Sequence, residues 1–185
     1  MKQIIYLAQN GESAIIQKLT NCISHISNGT IDFFCYSEIP KTISPDTILI
    51  LSRQIHSIQL FDLTHPVLIS SDTSGISDCL MKQRAQIVYT CGFSKHDCMS
   101  FSSVLDEQCM ISLNRAIKTL DGHLIEPFEM PISFRAEQSF LMLSCLLGIL
   151  LCDISPETIF EKLSCDNSIH SSHTMFANTT KQIEE

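Results

Sequence analysis

One stretch constrains this chain more than any other: Ile4-Ile5-Tyr6-Leu7-Ala8-Gln9-Asn10-Gly11-Glu12-Ser13-Ala14-Ile15-Ile16-Gln17-Lys18-Leu19. Residues 4–7 form a short apolar run suited to a central strand, Asn10-Gly11 is turn chemistry, and Ile15, Ile16 and Leu19 place apolar side chains at helical spacing. Strand, tight turn and helix in that order are the architecture of a phosphate-binding loop. A working loop of this kind ends Gly-Lys-Ser/Thr: backbone N–H groups and the lysine ammonium cradle phosphate oxygens, and the hydroxyl holds Mg²⁺. Here Glu12 occupies the lysine position.

The sign of that charge decides the functional expectation. Losing the lysine removes a charge-assisted contact of roughly 1.5–3 kcal/mol. A glutamate facing a phosphate adds a repulsion of about 4 kcal/mol per charge pair at a separation of about 4 Å and an effective dielectric of about 20. Together these amount to about a thousandfold or more in affinity. Glu12 also suits the positive end of its own helix. The loop is therefore expected to keep its shape without its nucleotide. Asn10, Gly11 and Ser13 remain as a vestigial phosphate loop, with Ser13 a helix cap or a residual ligand for a small anion.

The 185 residues suit one domain with an ample core, placed at 1–164, followed by a polar, flexible tail at 165–185 rich in Ser, Asn and Thr. A net charge of −8, the lack of any Lys/Arg run and the absence of tryptophan argue against a nucleic-acid surface. Met1-Lys2-Gln3-Ile4 leads straight into a strand with no hydrophobic signal core, so the chain reads as cytoplasmic. The longest apolar run, 140–152, is too short to span a membrane and reads as a helix buried in the core or in an interface. Nine cysteines, an odd count without compact spacing, imply reduced and mostly buried thiols.

Further strands are expected at 31–36, 47–52, 67–70 and 85–90, with a short helix at 74–82. Alternating units of this kind predict an α/β fold, a doubly wound and mostly parallel sheet with a P-loop-like first βα junction. From Met99 the pattern becomes strand-only: 99–105, 108–113 and 123–132 read as a small antiparallel β meander, with Leu120-Asp121-Gly122 as its last turn. A long apolar helix follows at 136–152. A second begins at Ser155-Pro156-Glu157-Thr158, with Ser155 as N-cap, and runs to Leu163.

The order of these elements resembles the ATP-binding central domain of the Mur ligase family, which includes the amide-forming ligases of peptidoglycan synthesis and folylpolyglutamate synthetase. Gln9-Asn10-Gly11-Glu12-Ser13 looks like the family loop Thr-Asn-Gly-Lys-Thr/Ser. Residues 67–72 and then Ile87-Val88-Tyr89-Thr90-Cys91-Gly92-Phe93-Ser94 look like a later strand and the family's Tyr-Gly-containing strand end. Residues 140–163, with Asp153-Ile154-Ser155-Pro156-Glu157-Thr158-Ile159, are similar to its last central-domain helices.

The departures shape what the resemblance implies. Besides the loop lysine, the family uses a strand-end glutamate for Mg²⁺, a histidine for a second metal and a His-Asn pair opening the long helix. Their positions fall here on Glu12, near Ser52, and on Glu137-Gln138, while 53–66 is too short for the usual metal-binding excursion. His56 and His65 are isolated and are not assigned as ligands. The flanking domains that in the family bind the acceptor and deliver the amino acid are expected to be missing, and acyl-phosphate formation depends on metals and cations.

The expectation is thus a degenerate, catalytically inactive Mur-ligase-like pseudoenzyme without catalytic residues, metal or cofactor. It would act as a binding, assembly or regulatory module toward a protein partner, itself ligase-like or a second copy. The alternative is a subunit of an ATP-dependent, Mg²⁺-requiring amide-forming ligase completed by another chain, and a third is a small-anion sensor using Asn10, Gly11 and Ser13. Elsewhere, Cys91, His96 and Cys98 stand close together but lack a clear fourth zinc ligand unless Cys79 or Asp97 folds in. A strand-end cysteine followed by a surface turn is the simpler reading.

Overall fold

The computed structural model describes residues 1–8, 13–52, 65–72, 87–104, 109–132 and 139–165. Its centre is an eight-stranded sheet. The strands are β1 (Lys2–Leu7), β2 (Ile31–Tyr36), β3 (Thr47–Leu51), β4 (Val67–Ser70), β5 (Val88–Gly92), β6 (Met99–Val104), β7 (Cys109–Leu113) and β10 (Phe128–Ile132). Two short strands, β8 (Ile117–Lys118) and β9 (Leu124–Ile125), form a separate antiparallel pair. The large sheet runs in the order β10-β7-β6-β5-β4-β3-β1-β2. Every neighbouring pair from β2 to β6 is parallel, and β7 pairs antiparallel with both β6 and β10. The α/β, mostly parallel architecture expected from the sequence is what is found.

The apolar runs explain the sheet. β1, β3 and β4 are buried on both faces, as a central parallel strand requires. Ile4, Tyr6 and Ala8 join the larger core with the helices, while Ile5 and Leu7 pack with Leu49, Leu51, Val67 and Ile69 on the other face, where Ile39 and Ile43 rest on them. Helix α1 (Ser13–Ser27) buries Leu19, Ile23 and Ile26 at helical spacing.

Helix α2 (Ser139–Leu151) is the main packing element, and every residue from 143 to 151 is buried. The chain itself therefore covers this apolar helix, which resolves the choice between core and interface in favour of the core. Gly148 permits the close approach: a Cβ there would lie 3.1 Å from Ile4 Cδ1. α2 ends in a Schellman motif. Asp153, at φ 71°, donates its N–H to the Leu150 carbonyl at 2.9 Å, and Ile154 donates to Ile149 at 3.3 Å. Lys2 Nζ donates to the Cys152 carbonyl at 2.8 Å, which places the end of α2 beside the start of β1. Helix α3 (Pro156–Cys165) begins as expected, with Ser155 Oγ accepting from Thr158 N–H at 3.2 Å.

The antiparallel meander expected from Met99 onward is present in the pairing of β6 with β7 and of β7 with β10, while β6 itself runs parallel to β5, overlapping it only at Cys91↔Met99 and Gly92↔Ser100. One expectation differs in detail: residues 123–132 do not form one strand, since β9 ends at Ile125 and β10 starts at Phe128 after Pro127. The helix expected at 74–82, Glu137-Gln138 and the tail from 166 onward lie outside the described residues.

Candidate functional site

β1 lies between β2 and β3, so the chain leaves it to one side and later returns to the other. In open α/β sheets, ligands bind at the carboxyl ends of the strands at such a switch point. The first βα junction therefore opens where the sequence places the phosphate-loop residues. Ala8 N–H reaches the Tyr36 carbonyl and Ser52 N–H reaches the Leu7 carbonyl, each at 3.0 Å, so the ends of β2, β1 and β3 stand side by side. Of the loop itself, Asn10, Gly11 and Glu12 lie outside the described residues, and Ser13 is the first residue of α1. Ser52, near the strand-end position singled out in the sequence, follows β3 directly and is buried.

Farther along this rim the chemistry becomes denser. Asp97 is only 2% exposed. One of its carboxylate oxygens accepts from Ser71 Oγ and from Ser94 N–H, both at 3.0 Å. Asn114 Nδ2 donates to the Asp97 carbonyl at 3.0 Å and to Ser100 Oγ at 2.8 Å, and Ser112 Oγ donates to Asn114 Oδ1 at 2.8 Å. Arg115 donates to the His96 carbonyl. These bonds tie the 93–98 loop to the end of β4 and to β6 and β7. Gly92 is enclosed by the same group: a Cβ there would lie 2.3 Å from Ser71 Oγ and 2.7 Å from Asp97 Oδ2. The arrangement fixes a loop, since the carboxylate already accepts two hydrogen bonds and is shielded from solvent.

Asp97 entered the sequence reading only as a possible fourth zinc ligand. The signal available was the Ser-x-x-Asp spacing of Ser94 and Asp97, a pattern in which a side-chain carboxylate turns back on a nearby N–H. Asn114 and Ser71 carried no comparable signal.

The cysteine-histidine cluster does not converge on a common centre. Cys91 and Cys98 are buried, whereas His96 is exposed. Among the described residues no three of His, Cys, Asp and Glu gather as a metal site requires, and Cys79 lies outside them. Burial pushes the Cys98 thiol up to about 11, with Arg115 opposing and Asp97 adding to the rise. Burial also raises Cys91, which stands against Ser144 of α2. Neither thiol is disposed to ionise, which a nucleophile or metal ligand must do. His65 precedes β4, at the opposite end of the strands from the loop, with Nε2 2.9 Å from the Ser44 carbonyl. His56 lies outside the described residues.

The described helices include none long and apolar enough to cross a membrane. No family model and no curated protein matches the chain. Solved structures do. MurF from Acinetobacter baumannii is 8% identical with a TM-score of 0.55, covering 88% of this chain and 45% of its own. A UDP-N-acetylmuramoylalanyl-D-glutamyl-2,6-diaminopimelate–D-alanyl-D-alanyl ligase from the same organism is 9% identical with a TM-score of 0.56, covering 88% and 45%. A murein peptide ligase, Mpl, from Psychrobacter arcticus is 10% identical with a TM-score of 0.55, covering 88% and 46%. The likeness is one of fold, and the chain spans about half the length of these ligases.

Proposed function

We propose that this chain is a Mur-ligase-like domain that has kept the scaffold and lost nucleotide chemistry, serving as a binding, assembly or regulatory module for a protein partner. The observation that carries this reading is Glu12, a carboxylate in the loop that leaves β1 at the switch point of the sheet. Ser52 supports it, because the strand-end position that supplies a metal-binding glutamate in the family bears a hydroxyl here. The rim's described carboxylate with the fullest hydrogen bonding, Asp97, is committed to holding a loop.

Thermal stability in the presence of Mg-ATP tests the proposal. A ligand at a hundred times its dissociation constant stabilises the native state by about 2.7 kcal/mol. In a chain of this size that raises Tm by roughly 5–10 °C. No shift is expected at millimolar Mg-ATP, and a gain of response is expected in Glu12→Lys. A clear shift in the unmodified chain that Gly11 substitution abolishes would instead favour the second reading, a ligase subunit completed by another polypeptide. That reading draws support from the Mur ligase scaffold present over 88% of the chain. Stabilisation by inorganic phosphate without nucleotide preference would identify the anion sensor.

A further inference from the structure

At the other end of the strands, between the free side of β10 and the start of α3, lies an open groove of about 820 Å³. Its apolar floor includes Ile125, Phe128, Ile154 and Pro156. Leu124 on one wall is 63% exposed and Phe160 on the other is 41% exposed, so two large apolar side chains are presented to solvent across the same depression. Among the described residues the rim is of one sign: Glu126, Glu129, Asp153 and Glu157 line it, and neither lysine nor arginine does. An apolar floor with an acidic border selects for an occupant that is apolar on one side and cationic at its flanks.

Backbone chemistry narrows the mode of binding. β10 is the last strand of the sheet among the described residues, but Pro131 lies within it and Pro127 just before it. Neither offers an N–H, so an added strand would find an interrupted ladder. Recognition must then be by side chains, as when an amphipathic helix lays its apolar face in a groove. A second copy of this chain is a poor candidate: it carries a net charge of −8 and would bring like charge to an anionic border.

We infer that this groove is a docking site for a basic amphipathic helix of a partner protein, with Leu124 and Phe160 as the apolar anchors and Glu126, Glu129 and Glu157 as the charge-reading border. The site goes beyond the proposed loss of nucleotide chemistry, because it lies at the opposite end of the strands from the β1–α1 junction and stands whether or not ATP binds.

The test is a titration of the full-length chain, labelled with ¹⁵N, with a synthetic Lys/Leu amphipathic peptide. Peptides of the same pattern carrying Glu/Leu and Lys/Ser serve as controls. Amide shifts confined to 124–131 and 153–160 are expected with Lys/Leu alone. Phe160→Ser, at a solvent-facing position, should weaken binding about tenfold. Glu126→Gln should weaken it about threefold, an effect that shrinks at high salt. Equal binding of Glu/Leu, binding of Lys/Ser as tight as Lys/Leu, or shifts elsewhere on the molecule would each overturn the inference. Concentration-dependent shifts in the groove without peptide would overturn it in favour of a second copy. Thermal response to Mg-ATP, measured on the same sample, keeps this result separate from that for nucleotide.

Discussion

Gly92→Ala is the sharpest probe of how the rim is held. The glycine is not in the left-handed region, so a new methyl meets only the space around it, and that space is filled. Ser71 Oγ at 2.3 Å and Asp97 Oδ2 at 2.7 Å are also bonded to each other at 3.0 Å. Making room means lengthening that bond or shifting the loop. A hydrogen bond to a charged group contributes roughly 1.5–3 kcal/mol, and overpacking costs about 1–3 kcal/mol. The lower chain entropy of unfolded alanine offsets about 0.4–1 kcal/mol. The net expectation is a loss of about 2–4 kcal/mol, read from urea unfolding followed by circular dichroism. In an Asp97→Ala background the carboxylate is gone and Ser71 can rotate away, so the same substitution should cost about 1 kcal/mol or less. A neutral or stabilising Gly92→Ala, or costs that simply add in the double variant, would refute the account of the loop as a staple closed around Gly92.

Individual contacts elsewhere in the fold carry further expectations. Lys2→Met removes both the donor to the Cys152 carbonyl and the ion pair with Asp121. Because the lysine side chain is only 22% exposed, a loss of about 1 kcal/mol is expected by thermal melting, larger than for Asp121→Asn. The hydrogen bond from His123, followed by that from Thr119, lowers Asp153 below its ordinary value of 3.8. A depressed carboxylate stabilises the fold above its unfolded value and loses that contribution as pH falls through the folded one, so Asp153→Asn should flatten the stability profile below about pH 4. Burial pushes the Cys152 thiol up to about 12 despite the opposing Lys2 charge, and it raises Cys91 and Cys145 as well. These three should resist iodoacetamide at about pH 8 until the chain unfolds, as followed by mass spectrometry of peptides.

The elements most legible in the sequence are those whose pattern and burial agree. Residues 47–51 and 67–70 are apolar runs buried on both faces, and Ser155-Pro156 starts a helix as its chemistry dictates. The parallel join of β5 to β6 carries no local signal. Parallel neighbours ordinarily need a long crossover, and only six residues separate these two strands. Here β6 begins where β5 ends, and the intervening loop goes out and comes back under the hold of Asp97, a long-range bond that no local pattern encodes. The rim was legible only as loop chemistry at 9–13. Its hydrogen-bonded network joins Ser71, Asp97 and Asn114 from separate parts of the chain. The groove was missed because its two walls, 124–131 and 153–160, meet only after α2 has packed.

A single strand of opposite polarity has a wider consequence. Because β7 runs against β6 and β10 runs against β7, β10 delivers the chain at the end of the sheet where β1 delivered it earlier. α2 then descends from that end toward Lys2, and α1 opens there too. The positive dipole ends of two helices thus share one end of the sheet. The field at the carboxyl end of β1 is therefore written partly by a segment encoded far downstream, and reversing or deleting β7 would carry the second dipole away without touching β1 or α1.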